Sequence, residues 1–174
     1  MHKFMVALLL GMFSLAASAQ EMGTTAPKAE LFGGYQYSRF DGGVNANGWD
    51  TSATANFNNW FGIGGDFSGA YAKPSGVSLN TYTYTFGPVL SYRHNEKVTP
   101  FGHFLLGGYH AAASASGVSV SNSGFAMMFG GGFDVKATQH VALRAIQFDW
   151  LSLHSNGVSD NNNMRITTGL LFRY

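Results

Sequence analysis

The stretch Ile166-Thr167-Thr168-Gly169-Leu170-Leu171-Phe172-Arg173-Tyr174 at the end of the sequence decides the fold class. Every second residue, counted back from Tyr174, falls on a mostly apolar face. The other parity carries Arg173 and Arg165 and, apart from Leu171, is small or polar. Because side chains alternate between the two faces of a β-strand, this stretch predicts a strand with one apolar face and one charged face.

The same alternation recurs upstream in seven further runs separated by turn-rich stretches, which predicts eight strands. The seven runs are residues 29–39, 49–57, 60–71, 81–93, 99–112, 125–135 and 141–153. Strands of this length, when tilted, cover the roughly 25 Å apolar band of a membrane barrel. The predicted fold is all-β: an eight-stranded antiparallel up-and-down transmembrane β-barrel.

The connections between the runs alternate in length. Three are short (58–59, 94–98 and 137–140), whereas four are longer and rich in Gly, Ser and Asn (40–48, 73–80, 113–124 and 154–162). Short turns on one side and longer loops on the other are typical of transmembrane barrels. We therefore expect both termini on the periplasmic side and the four longer loops outside.

The seventh run breaks its own alternation. Arg144 shares its parity with apolar residues, whereas Gln147 and Asp149 lie on the opposite parity. One extra residue near Ala145 and Ile146 would put all three polar side chains on the inner face. The sequence therefore predicts a β-bulge there, since a bulge shifts the alternation by one residue.

The beginning of the chain predicts export. Met1-His2-Lys3 is a short basic region, an apolar stretch follows from Phe4, and Ala17-Ser18-Ala19 supplies small residues before Gln20. This order is that of a cleaved secretory signal peptide, and the apolar stretch is shorter than a spanning helix requires. We expect a signal peptide at 1–19, a short periplasmic segment at 20–28 and one barrel domain at 29–174.

Composition excludes several classes of protein. Charged residues are 11% and aromatic residues 15%, which is too few charges for an ordinary soluble surface. No cysteine is present, so no disulfide framework or thiolate metal site is possible. Of the 10 Lys and Arg residues, one (Lys3) lies in the leader, so nine remain against 9 Asp and Glu. This balance argues against binding to nucleic acid.

A soluble eight-stranded barrel with its apolar face inward is the alternative. Two features weigh against it, and the first is that the apolar faces carry large aromatic residues near the strand ends, as a membrane-interface belt does. These are Trp49, Phe57, Tyr71, Tyr82, Tyr92, Trp150 and Tyr174. The second is that the opposite faces carry too many charges of both signs to bury unless they pair.

Three segments resemble the small OmpA/OmpX-type outer-membrane β-barrel family. They are Glu30-Leu31-Phe32-Gly33-Gly34-Tyr35, the stretch from Thr99-Pro100-Phe101-Gly102 to Gly107-Gly108, and Gly130-Gly131-Gly132-Phe133-Asp134-Val135. The C-terminal strand, with Ile166, Leu170, Phe172 and Tyr174 on its apolar face, is similar to the signature that the family's insertion machinery recognises. The resemblance implies a bacterial outer membrane location, contact with outer-membrane lipid, and partners in the barrel insertion machinery and periplasmic chaperones. Because the chain stops at Tyr174, we do not expect the peptidoglycan-binding domain of some relatives.

An eight-stranded barrel is just wide enough to be filled by its own side chains. Small inward residues such as Gly34, Gly130 and Gly169 would leave room for long side chains to pair across the lumen. We predict an interior polar network of Glu30, Asp50, Asp66, Arg93, Asp134, Lys136, Arg144, Asp149, Arg165 and Arg173. Such a network is either a structural plug, which we favour, or a narrow ion path. The facing of His103 and His110 stays open, because the fifth run is apolar on both parities.

Signals for chemistry are weak. The histidines lack metal-ligand spacing, so no metal and no cofactor is predicted. His154-Ser155-Asn156 is similar to the His-x-Ser-Asn motif of outer-membrane lipid A deacylases, but here His154 and Ser155 are adjacent and would face opposite ways in a regular strand. The predicted function is non-enzymatic, structural or surface-interactive, with a small pore and a deacylase as alternatives. Polar residues expected in the outer loops are Asn45, Asn47, Ser116, Ser119, Ser121, Asn122 and 161–163.

Overall fold

A computed structural model describes residues 26–95, 97–115, 118–155 and 157–174. The predicted signal peptide at 1–19 and most of the predicted periplasmic segment lie outside the described residues. The segment 26–28 lies beside the turn at residues 57–60, where the Ala26 amide donates to Asn59 Oδ1 at 3.1 Å.

Eight antiparallel strands close into a barrel in which each strand pairs with the next and β8 pairs with β1. The fold class predicted from the alternation is confirmed. The strands are β1 (Ala29–Arg39), β2 (Asn45–Asn56), β3 (Phe61–Ala72), β4 (Ser78–Ser91), β5 (Val98–Ala115), β6 (Val118–Lys136), β7 (Val141–Ser155) and β8 (Val158–Arg173). Among the described residues, no helix is long and apolar enough to cross a membrane.

Burial alternates along the strands as the sequence pattern requires. In β8, Arg165 and Thr167 are buried in the lumen, whereas Ile166 and Leu170 are exposed on the outer surface. The outer surface carries most of the large apolar side chains, including Trp49, and a continuous apolar surface of this kind has to be covered by something other than water. The lumen holds the buried polar and charged residues, which is the reverse of a soluble barrel.

The predicted bulge in β7 is present. Ile146 pairs with Phe133 and Arg144 pairs with the next residue, Asp134, so that Ala145 is the extra residue opposite β6. The ladder with β8 shifts between Arg144 and Gln147 at the same place. As a result Arg144, Gln147 and Asp149 are all buried in the lumen.

Strand extends into all four of the longer loops predicted on one side and covers most of 113–124 and 154–162, which corrects the sequence prediction. β2, β4, β6 and β8 begin at Asn45, Ser78, Val118 and Val158, and β5 and β7 end at Ala115 and Ser155. Of the polar residues expected in these loops, Asn45, Asn47, Ser119, Ser121, Asn122 and 161–163 lie in strands, and Ser116 lies outside the described residues. The last connection is tight enough to use Gly157 at a φ of 79°, a conformation that favours glycine.

Candidate functional site

The lumen is the place where polar and charged side chains converge. We call the end of the barrel that holds Ala29 and Arg173 the terminal end, and the opposite end, where β1–β2, β3–β4, β5–β6 and β7–β8 connect, the distal end. The two halves of the lumen are filled differently. Charged residues occupy the terminal half and the middle, whereas the distal half holds apolar residues together with uncharged polar side chains such as Ser152 and Asn163.

Arg165 on β8 is the centre of the charged region. Its Nη1 donates to Asp66 Oδ1 on β3 at 2.9 Å, and its Nη2 donates to Asp66 Oδ2 at 3.0 Å. Its Nε donates to Asp149 Oδ2 on β7 at 2.7 Å. Because β1 and β2 lie between β8 and β3 in the barrel, the guanidinium spans the lumen and holds two carboxylates that come from different sides. Such bidentate pairs fix geometry as well as charge.

Two more titratable groups complete this central cluster. His103 Nε2 lies 2.8 Å from Asp149 Oδ1, which places His103 inside and resolves what the sequence left open. Asp50 Oδ2 lies 3.8 Å from Arg165 Nη2, and both carboxylate oxygens of Asp50 are buried without a hydrogen-bond partner among the described residues. His110, by contrast, is exposed and pairs with Ser123 on the outer surface.

A second cluster of charged residues lies at the terminal end. Glu30 accepts from Arg93 at 2.6 Å and from Arg173 at 2.9 Å. Arg144 donates to both oxygens of Asp134, at 2.8 and 3.2 Å.

The guanidinium of Arg144 also lies between two aromatic rings. Its centre is 4.5 Å from the ring of Phe32 and 4.1 Å from the ring of Phe101, which is a cation–π arrangement on both sides. Its Nη1 donates to Gln147 Oε1 at 2.8 Å, which links the second cluster to the central one through Gln147 and Asp149.

Lys136 does not join either cluster, which corrects the predicted network. It is the last residue of β6 and its side chain is exposed. Lys136 lies two residues after Asp134 and therefore has the same inward parity. Because β6 ends at Lys136, the neighbouring strands no longer enclose its side chain. The other nine predicted members are brought together in the lumen: Glu30, Asp50, Asp66, Arg93, Asp134, Arg144, Asp149, Arg165 and Arg173.

A glycine makes room for the central cluster. A Cβ on Gly130 would lie 2.1 Å from Asp149 Oδ1 and 2.4 Å from the Phe148 carbonyl oxygen. Both distances are far below van der Waals contact, so no larger residue fits while Asp149 keeps its place between Arg165 and His103.

An apolar layer lies next to the charged region on the distal side, and sequence reasoning missed it. Met128 and Ala126 on β6 are fully buried and pack with Leu105, Tyr109, Leu151 and Leu153. The layer touches the charged cluster directly, since Arg165 Nη2 lies 2.9 Å from Met128 Sδ. The signal was present in the sequence: these positions share the parity of the charged residues on their strands, although the bulge and the apolar character of β5 obscured it.

Beyond this layer the distal half of the lumen contains a cavity of about 400 Å³. Alanines supply much of its wall, where larger residues would fill the space. The lining includes Phe40, Ala46, Ala70, Ala72, Leu79, Tyr109, Ala111, Ala113, Val120, Leu153 and Asp160.

The residues of the deacylase-like motif do not form a catalytic pair. His154 Nδ1 lies 3.3 Å from Ser152 Oγ, whereas Ser155 donates to Asn122 Oδ1 at 2.9 Å and to the Ser123 carbonyl at 3.1 Å. Asp160 is the carboxylate nearest to this motif in the sequence, and its Oδ1 accepts from Asn163 Nδ2 at 3.0 Å and not from His154. In the part of the chain that the structure describes, no group of three His, Cys, Asp or Glu residues could hold a metal ion.

The chain that forms this barrel matches a known family model. The outer membrane protein beta-barrel domain model matches residues 5–172. The chain belongs to this family. As a family member with an apolar exterior, it is an outer-membrane β-barrel.

Solved structures of small barrels share the fold. Neisserial surface protein A superposes with a TM-score of 0.68 at 12% identity, covering 84% of this chain and 96% of that one. Ail, the attachment invasion locus protein of Yersinia pestis, gives 0.62 at 24% identity, covering 86% and 100%. The N-terminal β-barrel domain of Pseudomonas aeruginosa OprF gives 0.55 at 10% identity, covering 86% and 100%. At these identities the likeness extends to the fold alone, and no curated protein matches the chain.

The residues of the predicted insertion signal lie on the outer surface. Ile166, Leu170, Phe172 and Tyr174 are exposed. Tyr174 follows the last strand, and its amide donates to the Ala29 carbonyl oxygen at 2.9 Å, beside the β8–β1 pairing that closes the barrel.

Proposed function

We propose that the protein is a non-conducting, non-enzymatic outer-membrane barrel that acts at the cell surface through its distal end. The observation that carries the proposal is the contrast between the closed lumen and the long distal hairpins. The distal end faces the cell exterior in this proposal, and both termini face the periplasm.

The charged clusters support a closed lumen. Arg165 is almost fully buried and is held by carboxylates from two other strands, so its side chain cannot leave the axis of the barrel without breaking four hydrogen bonds to Asp66, Asp149 and Ser68. The apolar layer around Met128 adds a second obstruction, because Met128, Ala126, Leu105, Leu151 and Leu153 offer a hydrated ion little to replace its water. These features favour the plug over the ion path.

The lengths of β5 and β6 support a surface role. They contain 18 and 19 residues, whereas a strand needs about 9–11 residues to span a membrane. The hairpin therefore projects beyond the apolar band at the distal end. Its tip is apolar as well as polar, because Val118 and Val120 are 68% and 64% exposed.

One edge of this hairpin is open to a partner. The β5–β6 ladder continues to the pair Ala115 and Val118, but among the described residues the β6–β7 ladder stops at Phe125 and His154. Between these points the backbone of β6 has a ladder partner on one side only, and of its free edge the Ser123 carbonyl alone is reached, by Ser155 Oγ, among the described residues. An exposed strand edge with alternating Val and Ser is a template for the addition of an extended segment from another protein.

A sulfated-sugar ligand is a poor match for this chain. A structure of Ail is titled as a complex with the heparin analogue sucrose octasulfate, and that structure is 25% identical with a TM-score of 0.60, covering 86% of this chain and 100% of that one. At the distal end, the Lys and Arg residues among those described are Arg39 and Lys73, and they are offset by Asp41 and Asp160. Polyanion binding requires an excess of basic residues, so we do not extend this ligand to the chain.

Export completes the proposal. The leader 1–19 would be cleaved after Ala19, periplasmic chaperones would carry the chain, and the insertion machinery would read Ile166, Leu170, Phe172 and Tyr174. Their position on the outer surface of the strand that closes the barrel supports this assignment.

The surface role is tested by placing charge on the open edge. The full chain is expressed in a bacterial host, and attachment is measured to a panel of immobilised extracellular proteins and between the cells themselves. Substitution of Val118→Lys with Val120→Lys is expected to abolish any attachment that the chain confers, since lysine on a strand edge opposes pairing. Asn45→Lys with Ser78→Lys adds the same charge elsewhere at the distal end and should leave attachment intact. No attachment above an empty-vector strain, or equal attachment by both variants, would contradict the proposal.

A further inference from the structure

We infer that the cavity in the distal half of the lumen binds one small amphiphile, with an alkyl chain inside the cavity and an uncharged or cationic head group at its polar residues. The cavity shares Val120, Ser121 and Asn122 with the β6 edge, but its other walls lie inside the barrel and a ligand there requires no partner protein.

The size and lining of the cavity suit an alkyl chain. Its volume of about 400 Å³ lies within the range of roughly 300–1,000 Å³ that small-molecule sites occupy. Side chains of Ala46, Ala70, Ala72, Ala111 and Ala113 line it together with Leu79 and Val120. An apolar cavity of about 150 Å³ already stays dry and binds benzene in another protein, so this larger one is a ready apolar site.

The floor of the cavity separates the ligand from the charged clusters. Tyr109 and Leu153 line the cavity and also belong to the apolar layer that packs around Met128. The lining extends to Val44 and Leu79, next to the connections of the distal end. A ligand would therefore enter from the distal side and stop at the apolar layer.

The polar lining selects the head group. The side chains with uncharged or anionic polar groups are Thr81, Tyr109, Ser121, Asn122 and Asp160, and no Lys or Arg is among the described residues of the lining. Asn122 Nδ2 donates to the Tyr109 hydroxyl at 3.4 Å, a long hydrogen bond that a ligand hydroxyl could replace. A carboxylate head would meet the carboxylate of Asp160, whereas an amine or a hydroxyl would find acceptors.

Binding in the cavity can be measured through the methyl groups of the alanines that line it. Full-length protein with ¹³C-labelled alanine methyl groups, in nanodiscs, is titrated with octylamine, octan-1-ol and octanoate. The inward methyls of Ala46, Ala70 and Ala111 are compared with those of Ala53 and Ala55, which are exposed on the lipid-facing surface. We expect saturable shifts and ligand contacts at the inward methyls only, with octylamine binding about tenfold or more tightly than octanoate.

Filling the cavity should abolish this response. Ala111→Phe occupies the space beside Tyr109, and Ala113→Phe serves the same purpose nearer the distal end, should the first variant not fold. Ala55→Phe adds the same ring on the outer surface and should leave the inward response unchanged. A heat-sensitive gel shift shows which variants are folded.

Three results would overturn the inference. Shifts that rise without saturation and equally at inward and outward methyls would mean that the probes partition only into lipid. Saturable binding that survives both phenylalanine variants would place the ligand elsewhere. Octanoate bound as tightly as octylamine would rule out the head-group selection by Asp160.

Discussion

The terminal and distal halves of the lumen are enclosed by the same eight strands, yet one is filled and the other is not. In the terminal half, glycines such as Gly130 have no side chain, and the space is filled by arginines and carboxylates that pair across the barrel. In the distal half, alanines supply much of the wall, and a cavity of about 400 Å³ remains. The strand number fixes the width of the barrel. Whether the lumen is filled depends on the size of the inward side chains and of the side chains on the facing strands.

The two halves should also respond differently to substitution. A buried charge whose partner is removed is left uncompensated, which is costly, whereas an added methyl group in an open cavity displaces little. Substitutions in the terminal half are therefore expected to dominate the stability of the barrel.

The largest effect is expected for Arg165→Met. The substitution leaves Asp66 and Asp149 buried without their guanidinium partner, and breaking a buried ion pair in this way costs about 3–5 kcal/mol. The free energy of unfolding of the folded barrel in urea would measure the loss. Arg39→Met, which removes an exposed charge at the distal end of β1, serves as the control and should change the free energy by less than about 0.5 kcal/mol. Equal effects would show that the central cluster does not stabilise the barrel.

A smaller loss is expected for Gly130→Ala. The new methyl group would displace Asp149 or the Phe148 carbonyl, and overpacking of this kind costs about 1–3 kcal/mol. Gly33→Ala is the matched control, because nothing lies within 4 Å of a Cβ there. A Gly130 variant as stable as the Gly33 variant would mean that Asp149 is not held in the position described.

Arg144→Lys should cost about 1–2 kcal/mol although it conserves the charge. A lysine cannot donate to both oxygens of Asp134 while lying flat between Phe32 and Phe101. The same urea titration measures the effect. The control is Lys97→Arg, the opposite exchange at an exposed turn residue, for which we expect no change in the free energy of unfolding. An unchanged midpoint for Arg144→Lys would show that charge alone, and not the planar guanidinium, is what the site requires.

The smallest effect is expected for Ala72→Leu in the distal half. The cavity has room for the added atoms, so the free energy of unfolding should change by less than about 0.5 kcal/mol in either direction. A loss comparable with that of Gly130→Ala would show that the distal half is as tightly packed as the terminal half, and the contrast between them would fail.

Sequence reasoning succeeded where lipid and lumen impose opposite demands on the two faces of a strand. The alternation around Arg165 and the broken alternation around Arg144 were enough to place these side chains in the lumen, and even to locate the bulge. The same reasoning failed at the strand ends. Lys136 keeps the inward parity but lies past the enclosed part of the barrel.

The distal ends could not be predicted for a related physical reason. Beyond the membrane both faces of a strand meet water, so the stretch from Val118 to Ser123 can be rich in Ser and Asn although it is a strand, and such a composition predicts a loop. The cavity could not be predicted either, because a lumen lined with alanine has the same parity pattern as a filled one. His103 belonged to a strand with apolar residues on both parities, so only the register of the folded barrel shows that it meets Asp149.

Single-channel conductance of the full-length protein, purified as a folded barrel and inserted into a planar bilayer, tests the closed lumen most directly. With Arg165 held by Asp66 and Asp149 across the axis, and the apolar layer beside it, the account predicts no discrete current steps at either polarity. Reproducible open levels from protein that a heat-sensitive gel shift shows to be folded would contradict it, and would mean that the charged clusters line an ion path.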